Sequence, residues 1–250
     1  MHDTMAPPER SVPPGHFIQQ DWTTYTPLQH RTWSALYARR MPLLRSTASR
    51  VFLDGAAAIG LGADHLPDLA LLNRRLLPRT GWSAVPVDGF LPAEDFFGCL
   101  AQRKFPTTVT IRPFDRLDYV PEPDIFHDVF GHVPLHADPV FADFLQRFGA
   151  LAAAAKTPEQ VDRMARLFWF TVEFGLVREG GDVKVYGSGL ISSHADSAKA
   201  LSMDADRRPF ELGQVLDQPF RIDDLQPILY VVDGFQQLFA AISSLEGGRA

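Results

Sequence analysis

Cysteine is almost absent from this chain of 250 residues, with Cys99 standing alone. An internal disulfide is therefore impossible, and so is a metal site built from several thiolates. A reducing cytoplasm is the simplest home for such a composition. Long apolar runs are missing too, so no segment is expected to span a bilayer. Positive charge is in deficit. A formal net charge of −6 argues against nucleic acid or an anionic membrane surface as the main partner. The opening stretch, Met1 to Gly15, lacks the apolar core of a secretory signal and is rich in proline (Pro7, Pro8, Pro13, Pro14). It reads as a disordered lead-in. Internal repeats and long linkers are likewise absent.

What remains is a chain that is 46% hydrophobic and 22% charged, enough to bury a real core. We expect one domain over residues 21–246, a disordered tail over 1–20 and a short C-terminal tail over 247–250. The pattern is mainly α with a few short β-strands. Thr26-Pro27 starts a helix that carries Trp33, Leu36 and Tyr37 inward and stops before Pro42. Further helices are expected over Ala48–Leu61, Leu66–Leu77 and Phe96–Lys104, the last opened by Pro92 to Asp95. Thr107 to Arg112 alternates like a short strand. Asp138-Pro139 opens another helix. Thr157 with Gln160 matches a capping box and opens a long helix to about Val177. Val183 to Tyr186 reads as a strand, Gly187 to Ser193 as a loop, and Asp233 to Leu245 as a closing amphipathic helix.

The segment Pro121 to Leu135, PEPDIFHDVFGHVPL, carries the chemistry. It places His127 and His132 five residues apart, and neutral imidazole is the commonest protein ligand for iron, zinc and copper. On an α-helix that spacing leaves the two rings about 140° apart, so they need a distortion to share one ion. Gly131 and Pro134 are placed to provide a break. A zinc protease motif would instead space its histidines by four with a glutamate between. The third ligand is open on spacing alone. His136, Asp128, Asp138 and Glu122 are near, while Glu173 sits in the apolar run WFTVEFGL, where a buried acid needs a cation. Two histidines with one carboxylate form the facial triad of non-haem iron(II) oxygenases.

These segments, together with Tyr186 to Ser193 (YGSGLISS), resemble the pterin-dependent aromatic amino acid hydroxylases, most of all the bacterial phenylalanine 4-hydroxylases. The likeness runs from Asp21 to Glu246 and implies a single hydroxylase catalytic domain. It implies Fe(II) held by His127, His132 and Glu173. It implies a tetrahydropterin, tetrahydrobiopterin or a bacterial analogue, stacked on Phe96 in a loop containing Gly89 and Leu91. Ala93 replaces a serine common in animal members, and Asp128 stands where they carry glutamate, in position to hold the pterin through water. On the substrate side, Arg112 matches the arginine that pairs with the amino acid carboxylate. Trp169 matches a pocket aromatic, and Ser192 a serine close to a metal histidine. Without the resemblance, Phe96 and Trp169 read as core aromatics, Arg112 as a strand-end residue paired with Asp115 or Asp118, and Ser192 as a turn residue.

The implied reaction consumes dioxygen, a tetrahydropterin and an aromatic amino acid. Tyrosine hydroxylases carry aspartate at the place of Ile222, so an apolar residue there favours phenylalanine over tyrosine. Tryptophan remains a candidate, and a zinc hydrolase using the same histidines is the rival from another class. Neither a regulatory segment nor a C-terminal heptad segment is present, which leads us to expect a monomer.

Overall fold

The computed structural model describes residues 16–118, 123–221 and 226–248. Helix α1, Pro27–Thr47, begins at a capping box. The Thr26 hydroxyl accepts from the N–H of Gln29, and Gln29 Oε1 accepts from the N–H of Thr26 at 2.8 Å. Such a cap contributes about 1 kcal/mol. The helix does not stop at Pro42 as expected. Arg40, Met41 and Leu44 are all buried around the proline. Those contacts outweigh the roughly 3 kcal/mol that an interior proline costs.

Side-chain caps reset other boundaries. Ser49 caps α2, Arg50–Ala58, while Ala48 is drawn off to bridge Val185. Asp68 caps α3, Leu69–Thr80, later than the expected start at Leu66. Helix α4 covers Ala93–Ala101, and Arg103 ends it in a left-handed conformation. The strand expected at Thr107–Arg112 lies earlier. Strand β2, Lys104–Thr108, pairs in parallel with β1, Ser83–Val87, which sequence reading missed. At Thr108 the chain turns away, its N–H and hydroxyl both bonded to Asp128.

Helix α5, Pro139–Ala153, starts at the Asp138 cap as expected. Helix α6, Pro158–Phe168, starts at the Thr157 capping box but ends well short of Val177. A π turn, Trp169–Glu173, follows it, and the chain then enters β3, Leu176–Glu179. Strand β4, Asp182–Val185, is antiparallel to β3. The expected Gly187–Ser193 loop contains a short helix, α7, Ser188–Ser192, followed by α8, His194–Leu201. Strand β5, Asp206–Pro209, helix α9, Leu212–Asp217, strand β6, Ile228–Val232, and helix α10, Phe235–Glu246, complete the order. The second sheet runs β4-β3-β6-β5.

The core is aromatic. Phe126 and Phe130 stack at 4.5 Å, with Trp33 edge-on to both. Each such ring is fully buried, worth about 1.5–3 kcal/mol. Among the described residues no helix is long and apolar enough to cross a membrane.

Candidate metal centre

His127 and His132 lie on a π turn, Phe126–His132. Its i→i+5 bonding sets residues five apart one turn above the other. Both rings therefore share a face, their Nε2 atoms 3.3 Å apart. This corrects the expected helix break, because the helix widens instead. Gly131 serves another purpose. A Cβ there would lie 3.0 Å from the Ser188 carbonyl oxygen, so the bare backbone lets α7 close on the turn.

Glu173 ends the second π turn, whose bond from the Phe174 N–H to the Trp169 carbonyl measures 2.9 Å. Its Oε1 is 3.0 Å from His132 Nε2, and its Oε2 is 3.6 Å from His127 Nε2. The three donor atoms lie within 4.8 Å of one another. Among the described residues no other such group of potential ligands exists. Gly187 permits this approach, since a Cβ there would meet the Glu173 carbonyl oxygen at 2.4 Å.

Helix α7 supports the cluster from behind. The Ser192 hydroxyl donates to the Ser188 carbonyl at 2.8 Å, so it faces His127 Nδ1 at 3.0 Å as an acceptor. The network thereby assigns the His127 proton to Nδ1 and aims the Nε2 lone pair at the cluster. The Ser188 hydroxyl donates to Glu173 Oε2 at 2.7 Å. Burial works against the charge on Glu173. His132, then His127 and Ser188, override it and hold the carboxyl at about 2. Two facing imidazole nitrogens and an ionised carboxylate repel one another unless a proton or cation lies between them. With protein donors on one side only, the set fits a first-row metal ion that keeps open positions.

A cavity of about 400 Å³ opens on that side. Gly89, Leu91 and Phe96 line it, with Phe168, Trp169 and Phe220 among its other aromatic and apolar walls. Gly89 has a φ of +95° and open space beside it. Phe96 meets Phe168 edge-on at 5.5 Å. Trp169 lies against Phe220 at 4.9 Å. Asp128 also lines the cavity; its Oδ2 takes both bonds from Thr108, and Oδ1 has no partner among the described residues. Burial raises the pKa of this carboxyl despite His127 and Thr108.

Arg112 and Ser192 are not among the lining residues. Arg112 makes a buried bidentate pair with Asp124, both bonds 2.8 Å, and not with Asp115 or Asp118. Burial opposes the Asp124 charge, but Arg112 keeps its carboxyl below the usual range. Asp124 also accepts from the N–H groups of Arg112 and His127 at 2.9 and 3.0 Å, which ties the arginine to the first π turn. His136 is fully buried yet outside the cluster, stacked on Trp82 at 4.6 Å. Glu122 and Ile222 lie outside the described residues.

A model of the biopterin-dependent aromatic amino acid hydroxylases matches residues 18–245. The chain belongs to this family. The phenylalanine-4-hydroxylase of Chromobacterium violaceum is 41% identical over 225 residues, 90% of this chain and 76% of the relative. A crystal structure of that bacterium's phenylalanine hydroxylase with bound oxidised Fe(III) superposes with a TM-score of 0.89 at 41% identity, covering 91% of this chain and 83% of that one. A second, with iron(III) and 7,8-dihydrobiopterin, gives 0.88 at 40% identity and covers 94% and 87%.

Sequence reasoning missed several residues of this hydroxylase's site. Asp124, Thr108, Ser188 and Phe220 each touch a site residue. Ser188 and Asp124 carried a signal, through their places in the YGSGLISS and PEPDIFHDVFGHVPL segments. The others meet their partners across loops, where no periodicity points to them.

Proposed function

We propose that this hydroxylase converts L-phenylalanine to L-tyrosine with dioxygen and a tetrahydropterin, at iron(II) held by His127, His132 and Glu173. The observation that carries it is the convergence of these three donors at one wall of a cavity whose remaining walls are largely apolar and aromatic. Identity of 41% to a phenylalanine-4-hydroxylase supports the same reading. Iron(II) and the tetrahydropterin together supply the electrons that activate dioxygen for insertion into the ring.

The chain's own residues position the reactants. Ser192 fixes the His127 tautomer, and Ser188 steadies the Glu173 carboxylate. Phe96 offers a ring face and Asp128 a free carboxylate oxygen to a flat, nitrogen-rich pterin. Trp169 and Phe220 give a benzyl side chain an apolar slot. Arg112 gives its Nε and one Nη2 hydrogen to Asp124 and one Nη1 hydrogen to the Leu117 carbonyl, which leaves one N–H on each terminal nitrogen for the amino acid carboxylate. The apolar walls exclude water.

The product makes this a step that consumes phenylalanine and supplies tyrosine. We place the enzyme in the cytoplasm as a monomer. The lone buried Cys99 suits a reducing compartment. The exposed large apolar side chains come from several parts of the chain, including Leu28 of α1, Leu71 of α3 and Met203 between α8 and β5.

The test uses anaerobically purified, iron-loaded protein mixed with phenylalanine, a tetrahydropterin and oxygen, with mass spectrometry of the products. Tyrosine that requires the pterin is the expected result. Iron-bound protein that yields no tyrosine refutes the proposal, and pterin-independent hydrolysis with zinc would favour the rival class. Hydroxylation of tryptophan or tyrosine in preference to phenylalanine would move the substrate assignment. Ile222→Asp is expected to lower phenylalanine turnover, and unchanged turnover would remove that residue from the specificity account.

A further inference from the structure

We propose that Arg40, which is not among the residues lining the cavity, is a positioning residue for the metal centre that acts through α7. It rests on the metal reading above.

Both hydroxyls behind the metal donors come from one short helix. Ser188 at its start bonds Glu173, and Ser192 at its end bonds His127. A helix of five residues has almost no internal bonding to hold it, and its last carbonyls lack partners within it. Arg40 supplies those partners. Its Nε donates to the Ile191 carbonyl at 2.8 Å and its Nη2 to the Leu190 carbonyl at 3.0 Å. The planar fork fits two adjacent carbonyls, and its charge suits a helix C-terminus.

The arrangement is costly for a purely structural contact. Arg40 is 3% exposed, and among the described residues no carboxylate lies at bonding distance. Burial lowers its pKa to about 10, with Asp196 acting only at longer range. Ile191 adjoins Ser192, so any shift of the clamped carbonyl moves the hydroxyl that sets the His127 tautomer. Arg40 also explains how α1 persists at Pro42, because the side chain is anchored two residues before the proline.

The experiment uses the full chain with Co(II) as the metal probe. Affinity is measured by chelator competition, geometry by the Co(II) ligand-field spectrum, and stability by thermal unfolding of the metal-free protein. Ser192→Ala should weaken Co(II) binding about 10–100-fold. Arg40→Gln should weaken it about tenfold and shift the spectrum. The double variant should bind about as weakly as Ser192→Ala alone, because the two act in series. Arg40→Lys keeps the charge and one bond, so it folds where Arg40→Gln fails, and an intermediate loss is expected. Variants that unfold earlier but bind Co(II) with unchanged affinity and spectrum would overturn the proposal, as would losses that multiply in the double variant. Wild-type protein that binds no Co(II) would instead overturn the metal reading beneath it.

Discussion

His132 and His136 sit four residues apart, both buried, both against Phe105 at 4.6 and 4.9 Å. They part at their nitrogens. His132 Nε2 meets Glu173 at 3.0 Å and His127 at 3.3 Å. Both nitrogens of His136 are buried with no partner among the described residues, and its ring stacks on Trp82. One imidazole presents a lone pair to a set of donors, while the other serves as an aromatic plate in the core. Burial and residue type are shared, so neither makes a ligand. What decides is where the chain turns next. The π turn aims His132 at Glu173, and the 3₁₀ turn Val133–Ala137 carries His136 into the packing beside β2.

The sharpest way to break this comparison is to remove a donor on one side and a plate on the other. Glu173→Ala should abolish tyrosine formation, read by mass spectrometry, while His136→Ala should retain it in the folded protein. Loss of product in a folded His136→Ala variant would show that the second imidazole takes part. A smaller effect is expected from Ser188→Ala, which removes the donor to Glu173. Metal affinity should fall about 10–100-fold, measured by chelator competition.

The smallest effect concerns stability. His136→Phe replaces a fully buried imidazole, stacked on Trp82, with an apolar ring and should raise the urea midpoint. It should also change the pH dependence. Burial, and secondarily the charge of His132, hold the folded-state pKa of His136 well below 6.5. Below pH 6.5 the unfolded chain gains a proton that the folded chain refuses, so this stability is present above that value and lost as pH falls. Between pH 7.5 and 5.5 the advantage of His136→Phe in metal-free protein should grow by about 1.4 kcal/mol. An advantage that stays constant with pH would mean that His136 titrates normally in the folded state.

The contrast between the two histidines also marks what the sequence could reveal. The capping boxes at Thr26 and Thr157 and the cap at Asp138 were legible, because local hydrogen-bond chemistry sets them. The ligand trio was legible only through the resemblance, since spacing left His136 as good a candidate as Glu173. The π turns were not legible at all. An i→i+5 bond has no compositional mark, and periodicity at 3.6 residues put His127 and His132 on different faces. Strand β6 was missed because it is a short apolar run that could equally continue a helix, and β3 because the helix expected from Thr157 was carried into it as far as Val177. Pro42 misled because a buried Arg40 and Leu44 outweigh its local cost.

The central claim is that His127, His132 and Glu173 hold one iron. The direct measurement is the iron content of anaerobically loaded, desalted protein by mass spectrometry, with folding checked by circular dichroism. Wild type and His136→Phe should each retain one iron per chain, and His132→Ala essentially none. Iron kept by His132→Ala, or lost from folded His136→Phe, would contradict the account.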